Sequence, residues 1–247
     1  MITVRNNKFN FKTTPFKYYY TNKFMMHFLN ALSVTFPGGE DFFVRSVRQY
    51  RSNNKNDPFE KEISAFIGQE AYHSLAHKQL NEYAQQFGIS ALEMEHYVDK
   101  SLKYIQKHLS NEICLAVTIA LEHYTATMAE ELLTNNKWLN NMDPDFVKLW
   151  KWHSMEEIEH KHVAFEVWKQ HVDNNILKNL VMIITSIILW NVLLGITFLF
   201  IYQDKNIGWF EKIDQSILGL WRLFGIKGFC TNVFKHIPKY FKSDFRP

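Results

Sequence analysis

The chain is short of the residues that turn a backbone. Nine Gly and six Pro are spread over 247 residues, whereas a β-sandwich or barrel needs a tight turn about every 8–12 residues. The long intervals between these breakers read as helices, so the expected fold class is all-α. Residues 1–20 are polar and aromatic, contain Pro15, and read as an irregular arm. A helix is predicted from about Asn22 to Thr35, ended by Pro37-Gly38-Gly39, with a new helix from Glu40 to Tyr50. Asp57 and Pro58 supply a cap and a first position for a helix running past Gly68 to a stop at Gly88. Ser90 begins another helix to about His108, and Ser110 caps one from Asn111 to Thr134. Asp143-Pro144 opens the last bundle helix, to about Gln170. Long helices with short polar connections describe an antiparallel bundle. No repeat of solenoid period is present.

Only two cysteines are present, Cys114 and Cys230, which excludes a disulfide scaffold and an all-cysteine zinc site. Any metal must be held mainly by His and carboxylate. Six of the eleven His (His73, His77, His123, His153, His160, His162) fall in three short segments that also carry Glu. In GQEAYHSLAH, Glu70, His73 and His77 stand at i, i+3 and i+7 on one helix face. In WKWHSMEEIEHKH, His153, Glu157 and His160 stand at i, i+4 and i+7. Each Glu-x-x-His pair, Glu70/His73 and Glu157/His160, follows a helix with one candidate Glu, namely Glu40 and Glu122. One Glu from each of two helices and Glu-x-x-His from two others is a donor set that helix bundles project inward around two metal ions. Four carboxylates neutralise two divalent ions, and imidazole biases the choice away from Mg and Ca.

Each position also has a structural alternative. Glu40 suits the first turn of a helix, and Glu157 sits in a charge run where Glu156 and Glu159 compete for the role. Glu122 follows the apolar CLAVTIAL, where a solvated Glu gains nothing and an unpaired buried one is costly. His77 reads as a further ligand, a partner of a ligand, a catalytic proton donor or a packed core residue. His123 reads as structural or as a partner of a ligand, with a ligand role as the alternative, His162 as solvated, and Tyr72 and Tyr124 as core aromatics, with redox or proton partners as the alternative.

The strings FPGGEDFF, FIGQEAYHSLAH, ALEHYTA and KWHSMEEIEHKHVAFEVW resemble the signature blocks of a bacterial family named predicted metal-dependent hydrolase, over about residues 30–172. The metal-binding pattern also resembles the ferritin-like superfamily, in particular its three-histidine di-iron oxygenases. That resemblance implies a ferritin-like bundle and makes His153 a third nitrogen ligand.

Residues 180–202 form 23 uncharged positions, enough to span a bilayer. Residues 203–247 follow with eight Lys/Arg against four Asp/Glu and many aromatics, whereas residues 1–179 carry 20 against 21. The basic excess is thus C-terminal, which argues against nucleic acid as a partner. Basic and aromatic residues at this spacing suit a membrane surface; the alternative is an apolar helix packed on the bundle with the tail wrapping it. The expected division is an arm at 1–20, a metal bundle at 21–175, and an apolar helix with its tail at 176–247. The start, MITVRNNKFNFK, lacks a secretory apolar core, so the expected location is the cytoplasm, at a membrane.

The expected function is that of a metalloenzyme with two metal ions, iron first and Mn or Zn as alternatives. It would activate O2 to oxidise or oxygenate a small lipophilic substrate, with an external electron donor as a further partner. The rivals are hydrolysis by water on a metal, a ferroxidase or iron store, and a non-catalytic bundle whose Glu and His form buried ion pairs. No Gly-x-Ser-x-Gly elbow is present to support hydrolysis without metal.

Overall fold

The computed structural model describes residues 2–9, 11, 17–52 and 57–247. Met1, Asn10, the part of the arm at 12–16 with Pro15, and residues 53–56 lie outside the described residues. The described residues are all-α. The helices are α1 (Lys23–Arg48), α2 (Pro58–Ala84), α3 (Ala91–His108), α4 (Asn111–Thr134), α5 (Pro144–His160), α6 (Val163–His171), α7 (Asn175–Gln203), α8 (Trp209–Phe224), α9 (Phe229–Phe234) and α10 (Ile237–Tyr240).

The starts follow local chemistry. Asn22, Asp57, Ser110, Asp143 and Asn174 each accept a backbone amide of the first turn of α1, α2, α4, α5 and α7. Pro58 and Pro144 occupy first positions, where no amide hydrogen bond is lost. A short 3-10 turn, Gln85–Phe87, ends the second helix at Gly88, whose φ of 74° is open to glycine without strain. Helices α1 and α2 pair, α4 and α5 pair, and α1 with α4 and α2 with α5 close the bundle; α3 and α7 lie against α1.

Two expectations are corrected. The break at Pro37-Gly38-Gly39 does not occur, because α1 runs through all three residues. An interior proline costs about 3 kcal/mol, since it leaves the carbonyl four residues back without its donor. Here that carbonyl belongs to Ser33, and Asn81 of α2 supplies the missing donor from its side-chain amide at 3.3 Å. Gly38 then lets α3 approach closely, since a Cβ there would lie 2.9 Å from the Asp99 Cα. The second correction concerns the helix expected to reach Gln170, which stops at His160 and resumes at Val163. Lys161 and His162 keep right-handed helical dihedrals across the interruption. His162 there pairs with Glu62 at 3.0 Å.

The stretch read as 180–202 lies within α7, which is by length and composition the one helix among the described residues able to cross a membrane; about a third of its most apolar window is buried. The tail wraps back on the bundle. Lys178, itself buried, donates to the carbonyls of Tyr240 and Lys242, and Tyr240 and Phe245 pack on His123.

Candidate metal centre

Helix α1 contributes Glu40, α2 contributes Glu70, His73 and His77, α4 contributes Glu122, and α5 contributes His153, Glu157 and His160. All eight are buried. Three donor groups have ligand atoms within 4.8 Å of one another: Glu40/His73/His153, Glu70/His73/Glu157 and Glu70/Glu122/His160. The groups overlap through Glu70 and His73, so the seven residues expected as metal ligands form one cluster. The eighth, His77, stands behind it.

Both carboxylate oxygens of Glu40, Glu70 and Glu122, together with Glu157 Oε2, His73 Nδ1 and His160 Nε2, are buried without a hydrogen-bond partner. His160 Nε2 lies 3.1 Å from Glu70 Oε1 but is not aligned to donate to it. Leaving a buried polar group unsatisfied costs about 1–3 kcal/mol, and more for a charged one. Cations held by the three donor groups would give these residues the partners they lack, so the residues fit a metal site.

Hydrogen bonds fix which nitrogen each imidazole presents. His73 Nε2 donates to Glu156 Oε2 at 3.1 Å, leaving Nδ1 toward Glu70 and Glu157. His160 Nδ1 donates to Gln69 Oε1 at 3.0 Å, leaving Nε2 toward Glu70 and Glu122. Gln69 cannot be reversed, because its amide nitrogen donates to the Thr3 carbonyl and to Glu159. The third case runs through a relay. Asn81 holds its amide nitrogen on the Ser33 carbonyl and on Glu95, so its oxygen accepts the Ser33 hydroxyl at 2.6 Å. Ser33 Oγ therefore accepts from His77 Nδ1 at 2.9 Å, His77 Nε2 accepts from His153 Nδ1 at 2.8 Å, and His153 Nε2 is left bare beside Glu157 Oε1 at 3.0 Å.

The electrostatics agree with this division. Burial opposes the charged form throughout. In Glu40 and Glu122 it combines with neighbouring carboxylates to hold the groups well above the usual range. In Glu70 and Glu157 it is overcome, chiefly by His160, and both are held low. Burial pushes His77 and His153 down, which suits neutral members of a relay. His73 and His160 are raised despite burial, His73 by Glu156 and Glu70, His160 by Glu70, Glu122 and Glu157. The potential that favours a proton on His160 also favours a metal cation, and the two compete.

Several partners escape sequence reading. Glu156, one of the competing registers, is fully buried and holds His73, while Arg5 from the arm clamps Glu156 at 3.2 Å and Glu159 at 2.6 Å. Gln69, Ser33 and Asn81 look like ordinary polar helix residues, with no spacing to mark them. His123 faces away from the cluster, its imidazole pushed down to about 4 by burial. Tyr124 donates to Ser186 of α7.

Two cavities reach the cluster, one at Glu40 and Glu70 and the other at His153 and Glu157. A polar cleft between α1, α2 and α3 touches Glu40 and Glu70 and is bordered by Asp41, Lys78, Glu95 and Asp99. A narrow apolar chamber of about 50 Å³, partly open to solvent, is lined from Tyr20 along α1 to Phe36 and by His153 and Glu157. Apart from those two residues, its walls are almost entirely apolar, including Phe28, Leu32, Met128 and Trp150.

A family model described as predicted metal-dependent hydrolase matches residues 3–247. No curated protein and no solved structure matches the chain. With the match running over nearly the whole length, arm and tail included, the chain belongs to the predicted metal-dependent hydrolase family.

Proposed function

We propose that the chain is a metalloenzyme whose Glu/His cluster holds two metal ions, iron first, and uses O2 to oxidise or oxygenate a small lipophilic substrate. The observation that carries this reading is the meeting of three oriented imidazole nitrogens and four carboxylates beside an apolar chamber. Glu40/His73/His153 and Glu70/Glu122/His160 share no residue, and Glu157 lies between them, which supports two ions rather than one. Such ions would supply the electrons that reduce O2 or, in a hydrolytic reading, the Lewis acidity that activates water.

The chain's own residues do the rest. Glu156 and Gln69 hold His73 and His160 in the ligating tautomer, and the Ser33–His77 relay does the same for His153. His77, expected as a catalytic residue, acts in this reading as a positioning residue, since both its nitrogens are engaged. Phe36, Trp150 and Met128 exclude water from the His153/Glu157 side, where an apolar substrate gains by burial. Hydrolysis remains the second reading, favoured by the polar cleft that brings solvent to Glu40 and Glu70 and by the family description.

Anaerobically purified protein loaded with Fe(II) and mixed with O2 separates the two. Two Fe per chain, rapid O2 consumption and a transient visible absorbance are expected. Turnover of esters or amides with Zn or Mn, independent of O2, would replace the oxidative reading with the hydrolytic one.

A further inference from the structure

Helix α8 leaves most of its apolar side chains outside. Its inner side joins polar Glu211 and Gln215, turned toward α1, to Gly219 and the buried Leu223. Gln215 Oε1 accepts from Asn22 Nδ2 at 3.0 Å and from the Lys23 amide at 2.9 Å, and Glu211 pairs with Lys23. Gly219, on the same side, sits against Phe24, where a Cβ would come within 2.7 Å of the Phe24 Cβ. The opposite stripe, Phe210, Ile213, Ile217, Trp221 and Phe224, faces outward, with Phe210 86% and Ile217 66% exposed. An amphipathic helix in water buries its apolar stripe.

Helix α7 carries a matching stripe. Val181, Met182, Leu193, Ile196 and Phe200 are buried in the bundle, while Ile176, Leu180, Ile184, Ile187, Phe198 and Tyr202 are exposed along its length. Its 29 residues extend about 43 Å. Helix α8 returns beside it: Lys212 donates to the Tyr202 carbonyl at one end, and Phe224 and Phe234 meet Trp190 at the other. Two neighbouring helices thus expose apolar stripes far larger than isolated surface residues require.

We propose that this α7–α8 face lies in the surface of an anionic bilayer, with the helices parallel to the membrane plane. Charge supports lipid over a second copy of the chain. Residues 203–247 carry eight Lys/Arg against four Asp/Glu, and Lys205, Lys227, Lys235 and Lys239 are exposed in and around the hairpin. One acid, Asp214, is exposed on the outer side of α8. A like-charged copy would be repelled, whereas anionic headgroups are attracted. Exposed Trp209, Trp221 and Tyr202 suit the headgroup boundary. Spanning is disfavoured by packing: one side of α7 is committed to α1 and α4, which carry the buried carboxylate cluster and cannot follow it into hydrocarbon. The face does not depend on which metals are bound.

Full-length protein is mixed with phosphatidylcholine vesicles containing 30% phosphatidylglycerol, and with phosphatidylcholine alone, then sedimented. Binding to the anionic vesicles at least tenfold tighter, and weakened by salt, is expected. Ile217→Asp with Trp221→Asp should cut that binding at least tenfold while circular dichroism and thermal melting stay native. Brominated acyl chains should quench the native protein's tryptophan fluorescence, so the question is answered even if the double variant misfolds. Absence of vesicle binding and quenching, or a concentration-dependent dimer that the double variant abolishes, overturns the proposal.

Discussion

Asn81 Nδ2 lies 3.3 Å from the Ser33 carbonyl, the acceptor that Pro37 leaves without a backbone donor. This one contact joins the continuity of α1 to the tautomer of His153, because the same Asn81 also takes the Ser33 hydroxyl on which His77 depends. Asn81→Ala should therefore destabilise the fold by about 1–3 kcal/mol and lower metal affinity roughly 10–100-fold. In a Pro37→Ala background the Ser33 carbonyl regains a backbone donor, so the stability cost of Asn81→Ala should shrink while the affinity loss persists. Urea unfolding and metal titration of the four proteins in this cycle measure both; equal stability costs in the two backgrounds would refute the link.

The metal ligands predict a linkage. A ligand that binds only the folded chain stabilises it by about 4 kcal/mol when present at a thousand times its Kd. Fe(II) or Zn(II) should raise the melting temperature of the native protein, and Glu122→Gln and His160→Ala should abolish the rise. Metal content unchanged in both variants would mean that the Glu and His form ion pairs alone.

Much of this site was legible in the sequence, and the rest was hidden for physical reasons. Glu70/His73 and His153/Glu157/His160 were readable because helical periodicity puts them on one face regardless of tertiary structure. The helices at 58–84 and 111–134 were readable from their caps. Pro37 was not, because the donor that rescues it stands 44 residues away on another helix. Glu156 is rotated about 100° from Glu157, so it could be recognised only once α2 presented His73 to its other side. The amphipathic pattern of α8 was visible, but which stripe meets the bundle is decided by Gln215 and Gly219 against α1.

Glu156 gives a test of the shell behind the ligands. Glu156→Gln keeps the shape but weakens the acceptor for His73 Nε2 and removes the charge paired with Arg5. Metal affinity should fall about 10–100-fold, with a smaller effect for the exposed ion pair Lys148→Met as a control. Calorimetric titration with Zn(II) checks the order.

The buried pair His27–Asp204, 3.1 Å apart, lies away from the metal cluster and links α1 to the end of α7. Burial pushes His27 below its ordinary value. For Asp204, burial is outweighed by hydrogen bonds from His27 and the Asn206 amide, which hold it low. The unfolded chain therefore binds a proton at His27 that the folded chain refuses. This contribution is fully present above about pH 6.5 and is lost as pH falls below it; the Asp204 contribution is lost only below about pH 4. His27→Gln keeps a donor for Asp204 and removes the titration. The fall in stability between pH 6.5 and 5 should become shallower by up to about 1.4 kcal/mol per pH unit, read from urea midpoints. An unchanged slope would place the acid sensitivity elsewhere.

Gly219 decides whether α8 can stay on α1. A side chain there must displace Phe24, a fully buried core residue. Overpacking of this kind costs about 1–3 kcal/mol, which is comparable to what holds one peripheral helix. Gly219→Val should therefore release α8 and leave the bundle folded. Limited trypsin digestion should show faster cleavage at Lys212 and Arg222, with α4 and α5 still protected. Because α8 in the freed state could bury its apolar stripe, vesicle binding should persist or rise while the native contact between Gln215 and Asn22 is lost. Protection at Lys212 equal to that of the native protein would show that Phe24 yields without cost, and the close approach would then have no role in docking α8.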